Sequence, residues 1–237
     1  MPFLPEEREY RAMPVEICTR ADDVAAGSDA ASNSMKVRGY CTTYNEPYML
    51  YGSADFEVWE RVAPGAFDEC DETDVIMQYD HQGHVYARIS NRTLDLFDDD
   101  HGHGMEAELN GTTIGRQLHE EIRGGYTTKM SMGFTIADME VTERWENLGE
   151  VGEKLIKEVT LTKIRKLYDV SAVSLPANPG TSIDARAYTE GILTRSAYLS
   201  GVLEEARKEV AQKREQDKLR EEIALKIKLM EVKNNVD

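Results

Sequence analysis

The chain has 237 residues, 41% of them hydrophobic, which suffices for one domain of moderate size plus an appendage and excludes a disordered chain. Its formal net charge of -16 argues against nucleic acid as a partner, because binding phosphates needs clustered Lys and Arg. Three cysteines, Cys18, Cys41 and Cys70, are too few and too scattered for a disulfide framework or a zinc knuckle, so a reducing compartment is the default.

The first eight residues, Met1-Pro2-Phe3-Leu4-Pro5-Glu6-Glu7-Arg8, carry no basic segment followed by an apolar one, and no apolar run approaches membrane-spanning length. A soluble cytoplasmic protein with no membrane partner is expected. Residues 1–35 are acidic and end in small polar residues, which predicts a flexible N-terminal segment. Short strands are expected over residues 36–43, 56–62 and 74–79, the last closing in Asp80-His81, with Ala63-Pro64-Gly65-Ala66-Phe67 as a turn. Residues 88–97 and 104–109 read as a hairpin across the acidic turn 98–103. Residues 112–123 read as an amphipathic helix ending at Gly124-Gly125, the place for a left-handed cap. Strands follow at 132–139, 159–164 and 166–175, and Pro176-Ala177-Asn178-Pro179-Gly180 stops the last.

This pattern, without parallel βαβ repetition, predicts a mainly β chain with helices (α+β), its strands closed into a barrel. From about residue 187 the composition changes to dense mixed charge without proline or strand formers, which predicts a long charged C-terminal helix over 187–237. Its apolar stripe, Leu199, Leu203, Ala206 and Val210, is interrupted by Lys213, Asp217 and Arg220, so an uninterrupted coiled coil is not expected. A helical arm that binds a partner or is removed fits better, leaving residues 36–186 as the central domain.

Ser131 sits between two methionines beyond a glycine break, where a hydroxyl can be held rigidly, as a nucleophile requires. Its base must precede it, because the five histidines, His81, His84, His101, His103 and His119, all do. That order, with Lys129 where a nucleophile elbow needs glycine, excludes the α/β-hydrolase arrangement. His81, at the end of an apolar strand, is the best placed base, with His84 as competitor. Asp169, among Leu167, Tyr168, Val170, Ala172 and Val173, can orient the imidazole if it is buried; alternation also allows it to face solvent. A transition metal on His81-x-x-His84 with His101-x-His103 is the weaker alternative, since short histidine pairs in turns are usually solvated; no metal and no cofactor are expected. Cys70 lies in a run of acids that suppresses a thiolate.

Together, the strand closing in Asp80-His81, the helix, Met130-Ser131-Met132-Gly133-Phe134 and then Asp169-Val170-Ser171-Ala172-Val173-Ser174-Leu175-Pro176-Ala177-Asn178-Pro179 resemble the prohead maturation proteases of tailed bacteriophages. Val62-Ala63-Pro64-Gly65-Ala66-Phe67 resembles an early element of that family, and the likeness runs over residues 36–186. The resemblance implies a serine endopeptidase with a barrel similar to the herpesvirus assemblin, with His81, Ser131 and Asp169 as its catalytic residues. It implies action inside the immature prohead in the host cytoplasm, on the scaffold or a scaffold-like extension of the major capsid protein, with self-cleavage and a homo-oligomer left open. Family members usually carry glutamate where Asp169 stands, and asparagine is common where Asp80 stands. The competing class is a non-catalytic capsid assembly or scaffold protein with the same barrel and arm.

Overall fold

The computed structural model describes residues 8–19, 35–149, 152–174 and 197–234. The expected linker at 25–34 and the stop at 176–180 lie outside them. Among the described residues ten strands form one sheet: β1 (Glu9–Thr19), β2 (Lys36–Thr43), β3 (Tyr48–Gly52), β4 (Phe56–Val62), β5 (Ile76–Tyr79), β6 (Gln82–Arg88), β7 (Leu94–Asp98), β8 (Gly102–Glu108), β9 (Lys129–Asn147) and β10 (Glu153–Val173). Helix α1 (Thr113–Arg123) leads into β9, and α2 (Ala197–Asn234) follows the sheet. No helix is long and apolar enough to cross a membrane among the described residues.

The long antiparallel pair β9 and β10 is the spine, and the strand order is β3-β4-β10-β9-β1-β2-β8-β7. One edge of β10 serves two parallel partners in succession: residues 155–161 pair with β4 and residues 169–172 with β5, on which β6 folds back. The α+β class stands, but the barrel expectation is corrected. The sheet path is open at β3 and β7 among the described strands, and only an isolated bridge from Tyr44 to Val62 ties the end of β2 back to β4.

Several strands differ from the sequence expectation for identifiable reasons. β10 is continuous where two strands were expected, because register shifts between Leu161 and Asp169 interrupt the alternation that periodicity depends on. β9 continues through the charged stretch 140–147, which pairs with β10 as a largely exposed ribbon. β3 and β6 were not anticipated. β6 opens with the exposed, non-alternating Gln82-Gly83-His84, and a 3-10 turn at Ile89–Asn91 separates it from β7 inside the expected strand 88–97.

The N-terminal segment also departs from expectation, since Glu9–Thr19 is an inner strand between β9 and β2. Its charges conceal it: Glu9 and Arg11 are buried, and Arg11 forks onto Glu60 of β4 at 2.7 and 3.2 Å while contacting Glu9 at 3.0 Å. The Tyr48 and Tyr198 hydroxyls donate to the same Glu60 carboxylate. The carboxylates raise the Arg11 pKa and outweigh burial, which acts in the opposite direction. A buried ion set of this kind is tolerable because Arg11 lies between the two carboxylates and two hydroxyls donate to Glu60.

Helix α1 starts at the Thr112 cap, whose hydroxyl accepts from the Gly115 N–H at 3.0 Å, and ends in paired capping bonds from Gly125 to Ile122 and from Tyr126 to Glu121. Gly125, at φ 74, supplies the left-handed residue this cap needs, as the glycine pair predicted. In α2, Tyr198, Leu199, Val202, Leu203, Ala206 and Val210 are buried in the same core as the sheet, and Lys157 bonds Glu209 at 3.0 Å. Beyond Arg214 the helix exposes Leu219, Ile223, Ile227 and Met230. The tail is therefore a core helix first and an arm only afterwards.

Candidate active site

The turn between β5 and β6 consists of Asp80 and His81 alone, with Tyr79 paired to Gln82. Both residues have positive φ, 48° and 58°, as a two-residue hairpin of the primed type requires. Asp tolerates that conformation because its short side chain can bond locally. Here the Asp80 carboxylate accepts from the Ser174 N–H at 2.9 Å and from its hydroxyl, while the Asp80 N–H donates to the Ala172 carbonyl at 3.0 Å. The turn is thus tied to the end of β10 at both its backbone and its side chain, and this fixes where the His81 ring points.

Ser131 stands on β9 with Ala12 of β1 on one side and Ser171 of β10 on the other. Asp169 pairs with Gly133 on β9 and Ile76 on β5, so period-two alternation puts Ser131, Gly133, Asp169 and Ser171 on one face. His81 crosses this face. Its Nδ1 lies 2.6 Å from Asp169 Oδ1 and its Nε2 2.5 Å from Ser131 Oγ. With the Nδ1 proton directed at the carboxylate, Nε2 is left as the acceptor for the Ser131 hydroxyl. Ser131 and Asp169 have no exposed surface, and the His81 side chain is 10% exposed. The structure therefore brings the three residues together in the order serine, imidazole, carboxylate.

Asp169 is buried, not solvent-facing, and its acceptor sites are filled. Oδ1 also accepts from the Ser171 hydroxyl at 2.7 Å, and Oδ2 pairs with the Arg8 guanidinium. Gly133 makes this possible, since a Cβ there would lie 2.3 Å from Asp169 Oδ2 and 2.9 Å from Arg8 Nε. Arg8 packs over the rings of Tyr168 and Tyr10, and Tyr10 meets the His81 ring edge-on at 4.5 Å. Sequence spacing pointed to neither Arg8, Tyr10 nor Ser171. Ser171 had a usable signal, two residues from Asp169 on the same strand face; Arg8 had none.

The other candidates separate from this cluster. His84 is exposed on β6, and His101 packs edge-on against Tyr40. His103 is buried, stacked on Phe67 and 3.1 Å from Asp98. No three His, Cys, Asp or Glu side chains converge to hold a metal ion among the described residues. Burial, with Glu72 and Asp71 adding to it, pushes the Cys70 thiol up to about 12. Cys70 is therefore a poor thiolate, as its acidic neighbours suggested.

No curated protein and no solved structure matches the chain significantly. The sequence profile of the caudovirus prohead serine proteases matches residues 20–192, a span that includes His81, Ser131 and Asp169 and covers well over half of the chain. The protein belongs to the caudovirus prohead serine protease family.

Proposed function

We propose that Ser131 is the nucleophile, His81 its general base and then acid, and Asp169 the group that orients and charge-stabilises the imidazole. The observation that carries this is the continuous relay from Ser131 Oγ to His81 Nε2 and from His81 Nδ1 to Asp169 Oδ1, at 2.5 and 2.6 Å. As Oγ attacks a peptide carbonyl, its proton passes to Nε2 and a tetrahedral adduct forms. Collapse breaks the C–N bond, and the leaving amine takes the proton from His81. Water then repeats the sequence on the acyl-enzyme and restores the Ser131 hydroxyl. Asp169 is shorter than the glutamate usual in the family, and Gly133 opposite it leaves room for its carboxylate to approach closely.

The substrates we propose are the scaffold and the scaffold-like extension of the major capsid protein, cut inside the immature prohead in the host cytoplasm. Membership of the prohead protease family supports this. Incubation with the cognate capsid precursor, followed by intact mass, tests it. The wild type yields fragments, while Ser131→Ala and His81→Ala yield none and remain folded. Equal processing by Ser131→Ala would overturn the assignment, and intact substrate with every folded variant, even in assembled proheads, would favour a non-catalytic assembly protein.

The part of α2 beyond Arg214 is proposed as the arm that carries the protease into the assembling shell by pairing with scaffold helices, to be released later by self-cleavage. Its exposed Leu219, Ile223, Ile227 and Met230 support this. A chain ending after Arg214 that enters proheads as efficiently as the full-length protein would end the recruitment idea.

A further inference from the structure

We propose that Arg8 is a positioning residue of the catalytic set, acting through Asp169, and that the N-terminal segment thereby supplies a working part of the active site from outside the span shared with the family. The proposal rests on the assignment of Ser131, His81 and Asp169 given above.

The geometry begins with a buried carboxylate. Asp169 has no exposed surface, and an ionised acid in that position requires compensation by charge and hydrogen bonds. His81 and Ser171 both use Oδ1, which leaves Oδ2 free to swing unless another group holds it. Arg8 holds it. The guanidinium pairs with Oδ2, while its flat face is clamped by Tyr168 at 4.5 Å and Tyr10 at 5.3 Å, so the cation is itself fixed. Gly133 shows that the fit depends on both partners, because a Cβ there would intrude on Asp169 Oδ2 and on Arg8 Nε together. The Arg8 side chain is one-third exposed, so it spans from solvent to the buried carboxylate. Tyr10, two residues on, touches the His81 ring, so one short stretch of chain contacts both the acid and the base. The family match begins at residue 20, beyond both.

Loss of Arg8 frees Oδ2, so His81 loses its fixed orientation. His81 contacts Asp169 of β10, Ser131 of β9 and Tyr10 of β1, and Arg8 reaches it through Asp169 and Tyr10.

A fluorophosphonate probe measures this without a peptide substrate: the Oγ–P bond forms, the P–F bond breaks, fluoride leaves and the Ser131 proton passes to His81. Labelling rates of the full-length protein and its variants are compared at one fixed pH. Arg8→Gln is expected to label roughly ten- to a hundredfold more slowly. Arg8→Lys, which keeps the charge without the fork, is expected to fall between the two; it also carries the test should Arg8→Gln fail to fold. In an Asp169→Asn background, Arg8→Gln should cost nothing further, because its route is gone. Wild-type rate in a folded Arg8→Gln, or an undiminished effect in the Asp169→Asn background, would overturn the role of Arg8 alone. Absence of Ser131-dependent labelling in the wild type would overturn the triad, and the role of Arg8 with it.

Discussion

At the scale of single residues, the site depends on an absence: Gly133 lacks the Cβ that would lie 2.3 Å from Asp169 Oδ2. Gly133→Ala should therefore push the carboxylate away from His81. The expected result is a loss of cleavage of about a hundredfold or more, with about 1–3 kcal/mol of destabilisation from overpacking, read from rates and denaturant melts of the same sample. Full activity in Gly133→Ala would mean that Asp169 is not held where it is described. Ser131, His81 and Asp169, which the fold brings together, each have a local peculiarity in sequence: a hydroxyl before a glycine, an imidazole closing an apolar strand, and an acid inside an apolar run. That His81, and not the exposed His84, lies beside Ser131 is legible for the same reason. Arg8 was not, because its surroundings in sequence are an acidic terminus and its partner lies on β10, joined to it only by the fold.

At the scale of elements, periodicity found β2, β4, β5, β8 and α1, whose apolar residues follow one clear rhythm, and missed what bulges or charges disguise. β1 is the clearest case, because Glu9 and Arg11 read as solvated polar residues yet are buried with Glu60. Without Glu60, Arg11 keeps only its contact with Glu9 and the Tyr48 and Tyr198 hydroxyls lose their acceptor, so Glu60→Ala should destabilise the fold by about 3–5 kcal/mol, measurable by urea unfolding. A change under about 1 kcal/mol would show the network to be dispensable. Beneath the β7–β8 hairpin, burial and then Asp98 raise the Glu72 pKa from 4.5 to about 7, while burial lowers that of His103, 3.3 Å away. A carboxyl raised on folding binds protons more tightly in the native state. Its contribution is therefore full below about pH 4.5 and is lost as pH rises through 7. Glu72→Gln should raise Tm at pH 8 by about 2–4 °C, the shift given by about 1 kcal/mol in a chain of this size, and should leave Tm nearly unchanged at pH 4.5. An equal rise at both pH values would point to packing, not titration.

At the scale of the whole molecule, sheet and helix form one body with a projecting end. Composition divides the chain at about residues 35 and 187, whereas β1 and the start of α2 are built into the core from beyond those limits. Composition cannot register such docking, because Leu199, Leu203, Ala206 and Val210 look the same on a free amphipathic helix and on a docked one. A chain ending before Ala197 should accordingly lose several kcal/mol of stability, while one ending after Arg214 should melt within about 2 °C of the full-length protein. Equal melting of the two shortened chains would show that α2 does not belong to the core. Barrel closure is illegible in sequence for a similar reason: a mainly β chain can be read from strand-forming runs, but closure depends on which edges meet, and β3 and β7 do not pair. The most direct test of the account is to map the fluorophosphonate adduct by tandem mass spectrometry in the wild type and in His81→Ala. The account predicts a single adduct on Ser131 whose formation in His81→Ala is slowed at least about a hundredfold. An adduct on another residue, or labelling of Ser131 at an unchanged rate without His81, would contradict it.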